Sequence, residues 1–154
     1  MTFTTNEVFL DSSLLVEYEK GTRIDLLDFM LDARYRLYIS ETVLSEFTFH
    51  FLALKGQKAP LTLKTSQQIG PILLAHSRGP QLAQFTVLPN GNEIIPEYLR
   101  LMQRYNLLPN DALILATCRL HGITLLASHD VTDFGPACVG EGIQLVSALA
   151  DLVC

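Results

Sequence analysis

Two of the strongest apolar runs in the sequence end directly in acids. Val8-Phe9-Leu10 gives way to Asp11-Ser12-Ser13, and Ile123-Thr124-Leu125-Leu126-Ala127 gives way to Ser128-His129-Asp130-Val131-Thr132-Asp133. In open parallel sheets ligands bind beyond the carboxyl ends of the strands, so both corners should face one crevice. Asp111 adds a third acid, at the Pro109-Asn110-Asp111 corner that opens a helix. It shares one helical stripe with Ile114, Leu115 and Cys118, so a carboxylate lies on the same face as core residues. Glu46 is the fourth, on the border of the apolar stripe Val43, Leu44, Phe47, Phe51 and Leu54 and one turn before His50.

Taken singly, each acid has an ordinary structural explanation. Asp11, Asp111 and Asp130 stand near helix starts, where a carboxylate caps free N–H groups and suits the helix dipole, and Glu46 could be a surface ion-pair partner. Their convergence changes the reading. Carboxylates on one rim repel one another, and without a cation at least one must hold its proton well above the usual range. A hard-oxygen donor set suits Mg²⁺ or Mn²⁺. Such an ion acts on phosphate esters by activating a water and neutralising the leaving oxygen, which needs no Cys, Ser or His nucleophile. The histidines fit: His50, His76, His121 and His129 show no H-x-x-x-H spacing, and His76 and His121 sit near helix ends, where capping carbonyls is the expected role.

These corners need strands and helices to hold them. Strands are expected at 8–10, 37–39, 85–88, 123–127 and 143–146, the fourth reading as covered on both faces. Helices are expected after Asp11, over 23–34, over 41–54 with Ser40 as cap, over 93–105 with Asn90 or Asn92 as cap, and from Pro109 to about 120. Residues 61–78 are also helical in pattern, with Gly70-Pro71 kinking or dividing them, and the Gly56-Gln57-Lys58-Ala59-Pro60 segment is a break rather than a domain boundary. A short terminal helix follows the last strand. Strands alternating with helices indicate an α/β layered fold with a mainly parallel central sheet, in a single domain spanning 1–154.

Composition supports a packed, water-facing domain. Half the chain is hydrophobic (49%), too much for a disordered chain, and no uncharged apolar run approaches the roughly 18 residues of a spanning helix. Three unpaired-looking cysteines, Cys118, Cys138 and Cys154, suit a reducing cytosol, so a cytoplasmic protein without membrane attachment is expected. The net charge of −5 excludes bulk polycation binding to nucleic acid, but setting the four acids aside leaves −1, and Lys55, Lys58 and Lys64 could meet phosphates.

Four stretches in order resemble the PIN-domain ribonucleases, specifically the small toxins of the VapC type. They are Phe9-Leu10-Asp11-Ser12-Ser13-Leu14-Leu15, Thr42-Val43-Leu44-Ser45-Glu46-Phe47, Asn110-Asp111-Ala112-Leu113-Ile114-Leu115-Ala116 and Leu125-Leu126-Ala127-Ser128-His129-Asp130-Val131-Thr132-Asp133-Phe134. Residues 56–105 carry no motif of that family. The resemblance implies a three-layer α/β/α fold in which Asp11, Asp111 and Asp130 hold Mg²⁺ or Mn²⁺, directly or through water. Glu46 would complete the site and orient the attacking water. Ser13 and Ser128 match supporting polar positions, and Asp133 a less constant one before Phe134.

The implied reaction is hydrolysis of RNA to a 5′-phosphate and a 3′-hydroxyl, with homodimers and a cognate antitoxin as partners. Phe47, Phe49, Phe51, Leu52 and Leu54 surround their helix, which therefore has either two covered faces or a binding surface. A catalytically silent PIN-like interaction module stays open as the alternative. A phosphoacceptor receiver domain fits less well, since Asp11 lacks an adjacent acid and no lysine follows 143–146.

Overall fold

The computed structural model describes residues 5–153; Cys154 lies outside them. The chain runs β1 (Glu7–Leu10), α1 (Ser12–Glu19), α2 (Asp25–Asp32), β2 (Arg36–Ile39), α3 (Glu41–Gly56), α4 (Pro60–Thr65), α5 (Ile69–Ala75), α6 (Gly79–Leu82), β3 (Thr86–Val87), α7 (Ile94–Tyr105), α8 (Pro109–Leu120), β4 (Leu125–Ala127), α9 (Val131–Glu141) and β5 (Gln144–Val146), then a 3₁₀ turn at Leu149–Asp151. The five strands form one sheet in the order β3-β2-β1-β4-β5, every pair parallel. Helices cover both faces, giving the expected three-layer α/β/α arrangement.

Strand order places the site. The chain leaves central β1 toward β2 and β3, then returns across it to β4 and β5, so β1 and β4 flank the point where the winding reverses. Phe9 lies beside Leu126 and Leu10 beside Ala127, and the Asp11 N–H continues the pairing to the Ala127 carbonyl at 2.9 Å. The first residues past both strands are thus neighbours. Val8, Phe9, Leu10, Leu126 and Ala127 are fully buried, as a centre covered on both faces requires.

Local chemistry sets the helix ends, sometimes by other residues than the pattern suggests. Ser40 caps α3 as expected, its hydroxyl accepting from the Val43 N–H at 3.4 Å. The helix stops at Gln57, held left-handed at φ 54°, and not at Gly56. Gly56 is needed for room instead, since a Cβ there would come within 2.6–2.9 Å of the Leu63 and Ile72 side chains. The 61–78 pattern does divide, but at Ser66–Gln68, with Gln67 at φ 58°, one turn before the expected Gly70-Pro71. Pro71 falls in the first turn of α5, where its missing N–H costs nothing.

Neither Asn90 nor Asn92 caps α7: Glu93 precedes the helix, and the Asn90 amide donates to Thr117 Oγ1 at 2.9 Å, tying this segment to α8. His121 is the residue after α8, and its Nε2 lies 2.8 Å from the Pro89 carbonyl, a loop group rather than one of its own helix.

Helix α3 proves to have two covered faces for most of its apolar ring. Phe47, Phe51 and Leu52 are buried, whereas Phe49 is 55% exposed. Cys118 and Cys138 are free thiols in the core, and burial pushes both pKa values up. Among the described residues no helix is long and apolar enough to cross a membrane.

Candidate active site

Asp11 is buried, yet its carboxylate makes no capping bond to α1. Two hydroxyls hold it instead: Ser13 Oγ and Ser128 Oγ each donate to Asp11 Oδ2 at 2.7 Å. Both serine protons are then committed, and the two oxygens are left to accept. Ser13 Oγ takes the His129 N–H and Ser128 Oγ the Asp130 N–H, each at 3.0 Å. One compact network therefore ties the end of β1 to the end of β4, and Asp11 Oδ1 is left for the cleft that Asp11 lines. Ser13 and Ser128 thus each touch Asp11 and a backbone N–H of the β4 corner.

The cleft has a volume of about 480 Å³ and brings together Asp11, Ser13, Glu46, Asp111 and Asp130. Asp130 also caps α9, accepting from the Asp133 N–H at 3.2 Å, so its structural and chemical readings are compatible. Asp111 sits in the first turn of α8, and Glu46 projects from the middle of α3, with Ser12 Oγ at 3.5 Å from its Oε1. One oxygen each of Asp111, Asp130 and Asp133 lie within 4.8 Å of one another. Asp133, exposed and next to the core residue Phe134, thus stands beside Asp111 and Asp130.

The expected repulsion is present. Burial, then the charges of Asp11, Asp130, Asp133 and Glu46, push the Asp111 carboxyl up to about 7. Glu46 is also raised, first by burial and then by Asp11, with the Asn110 side chain pulling the other way. Asp133 is raised chiefly by its hydrogen bond to Asp130. An all-carboxylate rim that holds protons into the neutral range is a suitable cradle for a hard divalent cation, and no thiol or imidazole is part of the Asp111, Asp130 and Asp133 group.

The spacing of acids alone did not identify the other lining residues, Ser12, Val16, Glu17, Lys20, His50 and His129. A signal for some existed, since Ser13, Glu17 and Lys20 recur at helical spacing behind Asp11, and His50 follows Glu46 by one turn. The lysine trio is elsewhere. Lys55 pairs with Glu19 at 3.2 Å beside Arg78, and Lys55 and Lys58 line a separate hollow with Gly56, Leu63 and Ile72. Lys64 is exposed on α4, and none of the three lines the acidic cleft.

Ser128→Ala tests the network. It removes one of the two hydroxyls on Asp11 and the acceptor for the Asp130 N–H, and should cost about 10–100-fold in divalent-metal affinity by calorimetric titration.

A parallel α/β/α sheet whose carboxylates meet at the switch point defines a class of small acid-cleft domains. Within that class the match is specific: the PIN domain model fits residues 8–134, most of the chain, and the chain belongs to the PIN domain family. It is 27% identical to Ribonuclease VapC2 of Methanocaldococcus jannaschii over 128 residues, 81% of this chain and 85% of that relative. Ribonuclease VapC6 of the same organism is 29% identical over 142 residues, 84% and 91% of the two chains. The fold is similar to that of a toxin–antitoxin complex from Klebsiella pneumoniae, with TM-score 0.58 and 23% identity across 91% of this chain and 96% of that one.

Proposed function

We propose that the chain works as a single PIN-like domain, a metal-dependent endoribonuclease and the toxin of a toxin–antitoxin pair. The observation that carries this reading is the meeting of Asp11, Glu46, Asp111 and Asp130 in one cleft where Asp111 is raised to about 7, an arrangement that calls for a cation. The relatives named ribonucleases match over most of their length, and the Klebsiella structure is a toxin–antitoxin complex, which supports both the activity and an antitoxin partner.

In this reading Asp11, Asp111 and Asp130 hold Mg²⁺ or Mn²⁺, with Glu46 completing the site and Asp133 beside it. When bound, the ion supplies charge neutralisation at the phosphate and a more acidic water. Glu46, whose proton affinity burial has raised, takes the proton of the attacking water. The water oxygen bonds to phosphorus as the P–O3′ bond breaks, and the leaving O3′ takes up a proton from solvent, giving a 5′-phosphate and a 3′-hydroxyl. Ser13 and Ser128 keep Asp11 oriented throughout. The protein works in the cytoplasm with its RNA, and as a homodimer. Phe49, Leu61 and Leu74, on α3, α4 and α5, are each more than half exposed, which supports a covering partner.

Cleavage of a mixed panel of structured RNAs, in Mn²⁺ or Mg²⁺ and in chelator, tests the proposal. Cutting that requires metal is expected. A folded protein that binds no Mn²⁺ and cuts nothing would instead be the silent interaction module.

A further inference from the structure

An acid-lined cleft repels most of the strand it must cut, so the phosphates beside the reacting one need cations of their own. Most basic side chains of the described residues are already engaged. Arg36 pairs with Glu7, Lys55 and Arg78 with Glu19, Arg100 and Arg119 with Glu97 and Glu141, and Arg104 lies over the Tyr105 ring. Among the described residues Lys20 is the one Lys or Arg lining the acidic cleft. Its partner Glu17 is 3.6 Å away and Lys20 is 45% exposed, a weak pairing that a phosphate can displace.

Arg23 stands three residues on, exposed and without an ion pair among the described residues. The chain takes a fixed course to present it. Gly21 turns left-handed at φ 75°, and Thr22 binds back on Glu17 through its N–H at 3.0 Å and its hydroxyl at 2.5 Å. Arg23 itself is held at φ 49°. Because Thr22 is tied to Glu17, a residue of the cleft wall, Arg23 follows one residue past that wall and shortly after Lys20. The opposite side differs: the hollow beyond Glu46 and Asp111 is lined by Leu108, Pro109 and Asn110, with no cation.

We propose that Lys20 and Arg23 are strand-positioning residues, holding RNA phosphates next to the one that is cut. The proposal rests on the ribonuclease reading and names where its substrate lies. Lys55, Lys58 and Lys64, the contacts expected from the sequence, do not line the acidic cleft.

The test is steady-state cleavage of an RNA that the wild type cuts, over a range of salt, by the full chain carrying Lys20→Gln and Arg23→Asn. Asparagine tolerates the left-handed backbone at position 23, and unchanged Mn²⁺ binding and melting temperature will verify the fold. KM should rise about tenfold with kcat nearly unchanged, and the slope of log kcat/KM against log salt should become shallower by about 1.4, for two phosphate contacts on a single strand. Lys58→Gln with Lys64→Gln should match the wild type. Lys20→Arg should restore part of the loss in the double variant. A double variant with the wild-type KM and salt slope overturns the proposal, as does a fall in kcat alone. If the wild type cuts no RNA while binding Mn²⁺, the ribonuclease reading itself has failed and this inference goes with it.

Discussion

Asp11→Asn is expected to give a folded protein that has lost RNA cleavage by more than about 100-fold, beyond the 10–100-fold typical of residues that only orient a ligand. The substitution keeps shape and keeps an oxygen for Ser13 and Ser128 to donate to, so the network joining the ends of β1 and β4 survives. What disappears is a charge. Asp11 is among the charges that raise both Asp111 and Glu46, so without metal the variant should melt at the wild-type temperature or above it. Mn²⁺ titration and cleavage rates, measured beside thermal unfolding, separate loss of function from loss of fold. An active, folded Asp11→Asn protein would sink the mechanism.

Asp111 should make both metal binding and stability depend on pH near neutrality. Below about 7 its carboxyl holds a proton that an incoming cation must displace, so Mn²⁺ affinity should fall about tenfold for each pH unit below that value. Its folded value lies above the ordinary 3.8, so its contribution to the stability of the metal-free protein is fully present below about pH 4 and lost as pH rises through about 7. Asp111→Asn removes that loss. The variant should be more stable than the wild type at pH 8 without metal, by about 1–2 kcal/mol once solvent screening in the open cleft is allowed for, and no more stable at pH 4. Saturating Mn²⁺ should reverse the order at pH 8, because only the wild type binds it strongly. Melting curves at the two pH values, with metal and chelator, decide the matter. A metal-free wild type whose stability does not change between pH 5 and pH 8 would refute the assignment.

Much of this was legible in the sequence because two physical signals coincide at the site. Apolar runs such as Val8–Leu10 and Leu125–Ala127 mark buried central strands, and the acids that stop them mark the rim where ligands gather. Glu46 was legible as an acid on the border of the apolar stripe of its helix. The details that escaped depend on contacts distant in sequence. Nothing near Gly56 announces that Leu63 and Ile72 will crowd it, nor does Asn90 announce Thr117 as its partner. Helix α9 was legible only at its Asp130 start, because Gly135, Pro136 and Gly140 are poor helix formers whose cost is offset by burying Phe134, Ala137 and Cys138. Lys20 looks like any surface cation until α1 carries it to the wall of the acidic cleft, whereas the more conspicuous Lys55 and Lys58 line a separate hollow.

The two hydroxyls on Asp11 also bear on which ion the cleft can prefer. With Oδ2 taken by Ser13 and Ser128, Asp11 has a single oxygen left free, and would offer only that one to a cation entering the cleft. Large cations of seven or eight ligands gain much of their affinity from carboxylates that chelate through both oxygens, whereas a small octahedral ion needs one oxygen from each acid and fills the rest with water. On the proposed reading, discrimination against Ca²⁺ would rest on a pair of serine protons, a step removed from the acids that carry the charge.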